Sequence, residues 1–280
     1  MVTPDLCYKR VAMARRQLRW AWFVLAIAFL STSAHAQLPF YTDDADTTSK
    51  GKFHLEISNE LDWLQRSSFP GLRQNTTVFT LNYGLTNHIE LGINAPLIKI
   101  FNDRSLMLGN PSGIGDTQFG VKVRLLDERE GSKRPSTSVV FYVEAPTGST
   151  TKQLGSGLVD YWLYGVLQKS FTKRITGRLN GGILFSGNES TGLIGIQTSR
   201  GQVFTGNGSL VRNFTPRLRL GAELFGAVTR NFALSRGQLE GQIGGGYTLS
   251  DKLELTFGVL GGRYSASPRF GVQLGFAYDF

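Results

Sequence analysis

The sequence predicts an all-β protein: a 12-stranded antiparallel up-and-down transmembrane β-barrel behind a cleaved N-terminal signal peptide. Three observations predict it. Apolar and polar residues alternate with a period of two through most of the chain, short turn sequences alternate with long ones, and the chain closes on an alternating stretch with an aromatic end. In that closing stretch Phe270, Val272, Leu274, Phe276, Tyr278 and Phe280 fall on one face, and Gly271, Gln273, Gly275, Ala277 and Asp279 on the other. Successive side chains of a strand point to opposite faces, so this period means β structure. A bulky apolar face backed by a small or polar one suits a barrel wall, with lipid outside and a polar lumen inside.

The leader comes first. Arg15, Arg16 and Arg19 supply a positive region, Trp20–Leu30 an apolar stretch, and Ala34-His35-Ala36 a small-x-small cleavage site. Residues 1–36 are therefore expected to leave and the mature chain to start at Gln37. Cys7, the chain's one cysteine, leaves with them, which removes disulfide and thiol chemistry. The net charge falls from +9 to +5, with 25 basic and 20 acidic residues remaining, and their signs alternate along the chain. No basic stripe of the kind that holds nucleic acid is left. No apolar run reaches the roughly 20 residues of a membrane helix.

Residues 37–51 have no period and carry Asp43, Asp44 and Asp46; they read as a periplasmic tail, with the barrel spanning 52–280. In the first strand Phe53, Leu55, Ile57, Leu61 and Trp63 share a face opposite His54, Glu56, Ser58, Glu60 and Asp62. So many ionisable groups behind one apolar face make sense where that face meets water inside a barrel. The pattern recurs through Phe79–Tyr83, Ile89–Asn94, Gln118–Leu125, Val139–Glu144, Ile175–Phe185, Arg217–Leu224, Gln238–Tyr247 and Lys252–Val259. Phe204–Leu210 is glycine-rich and weaker, and Tyr161–Ser170 is ambiguous, because Trp162 and Tyr164 interrupt its polar face. These two aromatics either line a hydrophobic side of the lumen or face lipid.

Four turns share one form: apolar, Thr or Ser, any residue, then Lys, Arg or His. They are Leu85–His88, Phe171–Arg174, Phe214–Arg217 and Leu249–Lys252. The fifth link of this set, Asp127–Pro135, is longer and highly charged. The opposite links, near Gln65–Arg73, Lys99–Gly113, Pro146–Gly157, Gly187–Arg200, Arg230–Ser235 and Tyr264–Pro268, are mostly longer and rich in Gly, Ser, Asn and Pro. Short turns in the periplasm and long loops outside are the asymmetry of an outer-membrane barrel.

Sequence signatures of catalysis are missing: no G-x-S-x-G, G-x-G-x-x-G, Walker loop or H-E-x-x-H occurs. No enzyme activity, cofactor or metal is expected. A barrel hydrolase would have to use His54 with a serine of a neighbouring strand. Asp43, Asp44 and Asp46 suit calcium, but acids in a flexible tail are ordinarily solvated; alternatively the tail folds into the lumen against Arg178, Arg217 or Arg219. Gly113-Ile114-Gly115-Asp116 reads as a turn entering a strand. The lumen-lining candidates are Glu56, Glu60, Lys122, Arg124, Glu144, Arg178, Arg219, Glu223, Glu240 and Glu254. Mixed charges on the inward face either set selectivity along a polar path or pair off as filler that keeps the barrel round.

Several stretches resemble a known family. Leu38-Pro-Phe-Tyr-Thr-Asp-Asp-Ala-Asp-Thr-Thr followed by Gly51-Lys-Phe-His-Leu-Glu is similar to the mature start of an outer-membrane barrel family named for the meta-cleavage pathway of phenol degradation. Gly113-Ile-Gly-Asp-Thr-Gln-Phe-Gly-Val-Lys-Val-Arg-Leu-Leu and Val143-Glu-Ala-Pro-Thr-Gly resemble its middle motifs. The end at Phe280 resembles the signal read by the barrel-assembly machinery. The resemblance implies an outer-membrane transporter of small hydrophobic or aromatic solutes, with membrane lipid and the assembly machinery as partners and no nucleic acid. The reading held against it is a closed structural or adhesive barrel acting through its extracellular loops.

Overall fold

The computed structural model describes residues 39–104, 107, 109–129, 131–187, 200–229 and 237–280. The expected leader, Gln37 and Leu38 lie outside the described residues, as do most of the expected links 187–200 and 230–235. Among the described residues thirteen strands form one sheet. They are β1 (Phe53–Trp63), β2 (Gly71–Gly84), β3 (Ile89–Asn102), β4 (Ser112–Ile114), β5 (Thr117–Leu126), β6 (Ser136–Ala145), β7 (Asp160–Thr172), β8 (Ile175–Gly187), β9 (Arg200–Asn213), β10 (Leu218–Thr229), β11 (Gln238–Ser250), β12 (Leu253–Gly262) and β13 (Phe270–Asp279).

The wall closes because β1 pairs with both β2 and β13, while β2 also pairs with β3; every ladder is antiparallel. The short β4 lies only against Leu97–Lys99 of β3, so twelve strands make the wall. At the seam Phe53 and Phe280 exchange backbone hydrogen bonds of 2.9 and 3.0 Å and stack their rings 5.4 Å apart. A closed ladder leaves no edge unpaired, which is what hydrocarbon demands of a spanning sheet.

Alternation sorts the side chains as the sequence requires. Leu91, Phe119, Phe141, Leu163, Leu179, Leu224, Ile243, Phe257 and Leu274 are exposed on the outer face. Their inward neighbours Glu90, Lys122, Arg178, Glu223, Gln242, Thr256 and Gln273 are buried. An exposed apolar belt around a polar interior is stable only in lipid, and it places the chain in the bacterial outer membrane. The facing of β7 is resolved by the same test. Tyr161 and Leu163 are exposed on the outside, whereas the Tyr164 hydroxyl reaches a residue inside the lumen, so Trp162 and Tyr164 face inward.

The four short turns share one chemistry. In each, the hydroxyl accepts a hydrogen bond from the backbone N–H two residues on: Thr86 from His88 (3.1 Å), Thr172 from Arg174 (3.1 Å), Thr215 from Arg217 (3.2 Å) and Ser250 from Lys252 (3.4 Å). A Ser or Thr side chain that satisfies local backbone in this way favours a turn over further strand.

Two links at the opposite end depart from expectation. Strand β3 runs on to Asn102, and β4 folds back on it, so the Lys99–Gly113 link is partly sheet. Gly113–Asp116 is more than a turn. The Asp116 carboxylate accepts from Gly148 N–H (2.9 Å) and Ser156 N–H (2.7 Å), and so fastens the link between β6 and β7.

Candidate functional site in the barrel lumen

The segment 39–50 enters the barrel beside Gly84. A Cβ on Gly84 would lie 2.2 Å from the Ser49 carbonyl oxygen and 2.4 Å from that of Thr48, so only glycine lets the two backbones pass this closely. From there the segment crosses the lumen, and most of its polar groups find a partner on the wall. Thr48 donates to Glu90 from its N–H (2.6 Å) and its hydroxyl (2.7 Å). Asp46 accepts from Arg124 (3.0 Å) and Gln168 (2.8 Å). The Ala45 carbonyl accepts from Arg124 (3.1 Å) and Ser138 (2.7 Å). The Ala45 methyl packs against Val140 and Val166, with Tyr142 and Tyr164 alongside.

The densest charge contact surrounds Lys122. Its Nζ lies 2.6 Å from Asp43, 3.4 Å from Asp44 and 3.1 Å from the Asp46 carbonyl. Asp43 also accepts from the Tyr164 hydroxyl at 2.9 Å, and Asp44 stands 3.6 Å from Arg178. Burial pushes the Asp43 carboxyl above the usual carboxylate range, against the pull of the Lys122 ammonium. Further along, Thr42 and Tyr41 donate their N–H groups to Glu223 at 2.5 and 3.0 Å. Gln242 donates to the Pro39 carbonyl (2.8 Å).

This corrects the reading of the acids as solvated. Asp43 and Asp44 are buried beside the lumenal cations Lys122 and Arg178. The lumen fold of the tail was expected against Arg178, Arg217 or Arg219; among the described residues Arg178 receives it, through Asp44. Arg217 sits exposed in its turn, and Arg219 bonds Glu254 at 2.5 Å. Lys122 takes Asp43 and Asp44, and Arg124 takes Asp46.

Of the ten candidates, Lys122, Arg124, Arg178 and Glu223 touch the tail, and so does Glu60, which accepts from the Tyr41 hydroxyl at 2.5 Å. Arg219 and Glu254 pair with each other. Glu144 accepts from Gln118 (2.6 Å), Glu240 from Gln238, and Glu56 lies 3.1 Å from His54. His54 places its second ring nitrogen 2.6 Å from Asp279, so carboxylates engage both nitrogens and neither is left to activate a serine.

The sequence profile of the family described as "Putative MetA-pathway of phenol degradation" matches residues 36–280. Among solved structures, the COG4313 outer membrane channel from Pseudomonas putida F1 superposes with a TM-score of 0.65 at 16% identity, covering 86% of this chain and 100% of that one. The NanC porin gives 0.56 at 10% identity (80% and 98% covered), and the KdgM porin 0.50 at 12% (81% and 99%). At these identities the likeness is one of fold. No curated protein matches the chain.

Proposed function

This chain belongs to the family so described, and from that premise we propose that it is a passive outer-membrane channel for small organic solutes, hydrophobic or aromatic, gated by its own N-terminal segment. One observation carries the reading. The lumen is filled by a strand-free segment, residues 39–50, held mainly by hydrogen bonds and ion pairs to the wall. Polar contacts exchange for water at little net cost, whereas a filler that only kept the barrel round would be expected to come from the wall's own side chains. Solute moves down its gradient in this reading, and no catalytic step is involved. Outer-membrane lipid surrounds the belt, and the assembly machinery reads the aromatic end at Phe280.

The second reading, a closed structural or adhesive barrel, draws support from the buried ion pairs, since separating Lys122 from Asp43 leaves two charges to be rehydrated. Planar bilayers distinguish the two. The full mature chain should give discrete conductance, and deletion of residues 38–50 should enlarge it. Silent membranes at high protein loading, or a pore unchanged by the deletion, would count against the gated channel. Uptake by proteoliposomes across a panel of aromatic and fatty solutes identifies the class carried.

A further inference from the structure

The outer wall carries a recess that the apolar belt does not fill. On the outward face of β8, β9 and β10 the register sets Gly177 beside Leu210, Leu210 beside Ala222, and Gly208 between Leu179 and Leu224. Side chains are missing at two of these positions and reduced to a methyl at a third. A Cβ on Gly177 would meet the Phe171 ring at 2.6 Å, and one on Gly208 would meet the Leu179 Cδ2 at 3.0 Å, so Phe171 and Leu179 bound the hollow. What remains is a groove of about 710 Å³. Its walls belong to the outward set: Phe171 is 66% exposed, Leu179 59% and Leu210 52%.

The membrane decides what fills such a groove. It lies in the half of the wall nearer the short turns, since Phe171 opens one of them. There it opens onto hydrocarbon, and an apolar trough gains contact only when an apolar chain lies in it. Charge stands at its mouth, where Lys133 and Lys169 border the groove. Lys169 donates to Glu128 (2.6 Å) and to the Ser132 carbonyl (2.7 Å), which ties the β5–β6 link down and sets the next residue, Lys133, at the groove. Lys133 is exposed, and the described acids of its link are engaged elsewhere: Asp127 with Arg124 (3.3 Å) and His88 (3.5 Å), Glu128 with Lys169. At the same rim Arg212, exposed two residues beyond Leu210, lays its guanidinium 4.9 Å from the centre of the Phe214 ring. Basic groups at the edge of an apolar trough are the complement of an anionic lipid.

We propose that this groove is a binding site for an anionic phospholipid of the leaflet on the short-turn side, with an acyl chain laid along Gly177, Gly208 and Ala222 and the phosphate at Lys133. The bound lipid completes the wall where its side chains are short. It does so behind the strands whose inward faces hold the lumenal segment through Arg178 and Glu223.

The test is native mass spectrometry of the full mature chain, delipidated in detergent and titrated with dioleoylphosphatidylglycerol or with dioleoylphosphatidylcholine. The first phosphatidylglycerol should bind more tightly than any later one, and about fivefold more tightly than phosphatidylcholine, the worth of roughly one basic contact. Lys133→Gln should remove that preference. Ala222→Trp should abolish the first binding step for both lipids, whereas Leu81→Trp, outward on β2 on the opposite side of the ring, should leave it intact. Both substitutions face lipid, and the heat-modifiable mobility of a folded barrel in electrophoresis confirms that each variant is folded. Lipids that bind alike at every step, or a first step untouched by Ala222→Trp, would overturn the site. So would a dimer of the chain that Ala222→Trp dissociates without releasing lipid, since a second copy would then cover this face.

Discussion

The carboxylate of Asp116 accepts the backbone N–H of Gly148 at 2.9 Å, across 32 residues of sequence. The two belong to the two middle stretches that resemble the family, Gly113–Leu126 and Val143–Gly148, and this bond continues beyond the strands the contact that Thr117–Phe119 makes with Val143–Ala145 in the β5–β6 ladder. The second Asp116 oxygen holds Ser156, and Thr147 donates its hydroxyl to the Gly115 carbonyl (2.7 Å), so a single carboxylate fixes the long β6–β7 link against the rim. Asp116→Asn should loosen that link by about 1–3 kcal/mol, the worth of a charged acceptor to buried donors. Limited proteolysis should then cut within residues 146–159 faster while the barrel stays resistant; an unchanged rate would refute the role.

Lys122→Met should release the lumenal segment. It leaves Asp43 and Asp44 buried beside an apolar side chain, and breaking a buried pair on one side costs about 3–5 kcal/mol. The wall can avoid that cost by letting the segment go. An Ala45→Cys reporter, in a mature chain expected to have no other cysteine, should react with an impermeant thiol reagent many times faster in the Lys122→Met background. Adding Asp43→Asn and Asp44→Asn should slow the reaction again.

Leu274 and Gln273 are neighbours on β13 with opposite surroundings: Leu274 is 67% exposed on the outer face and Gln273 is buried inside. Leu274→Arg should weaken the folded barrel in lipid by about 2–4 kcal/mol, the cost of a basic residue near the bilayer midplane. Gln273→Arg, facing Glu60, should cost much less. Urea titrations in lipid vesicles measure both, and equal effects would contradict the assigned facing.

Thr215→Ala should lower stability modestly, by about 0.5–1.5 kcal/mol, because the Thr215 hydroxyl accepts from both Arg217 N–H (3.2 Å) and Leu218 N–H (2.9 Å). Thr215→Ser should restore it. The same urea midpoints provide the check.

The wall was legible in the sequence because a period of two in a barrel has one meaning per residue: Glu56 and Arg219 inside, Leu91 and Leu274 outside. Turn chemistry was legible for the same local reason, since a Thr or Ser two residues before a basic residue satisfies its own backbone. Where local pattern ended, so did the reading. Trp162 and Tyr164 resisted because aromatics suit either face, and only their neighbours decide. The seat of Asp43 was hidden because its partners Lys122 and Tyr164 lie 79 and 121 residues away, beyond any periodicity. Asp116 looked like an ordinary turn residue because its two donors are backbone N–H groups, which no sequence distinguishes.

Pro39 meets Gln242 across 203 residues, and Thr42 meets Glu223 across 181. Such a seat does not exist until most of the chain, through β11, has been laid down. During biogenesis the segment therefore cannot complete its contacts until β10 and β11 are in place, so its docking belongs to the late steps of assembly.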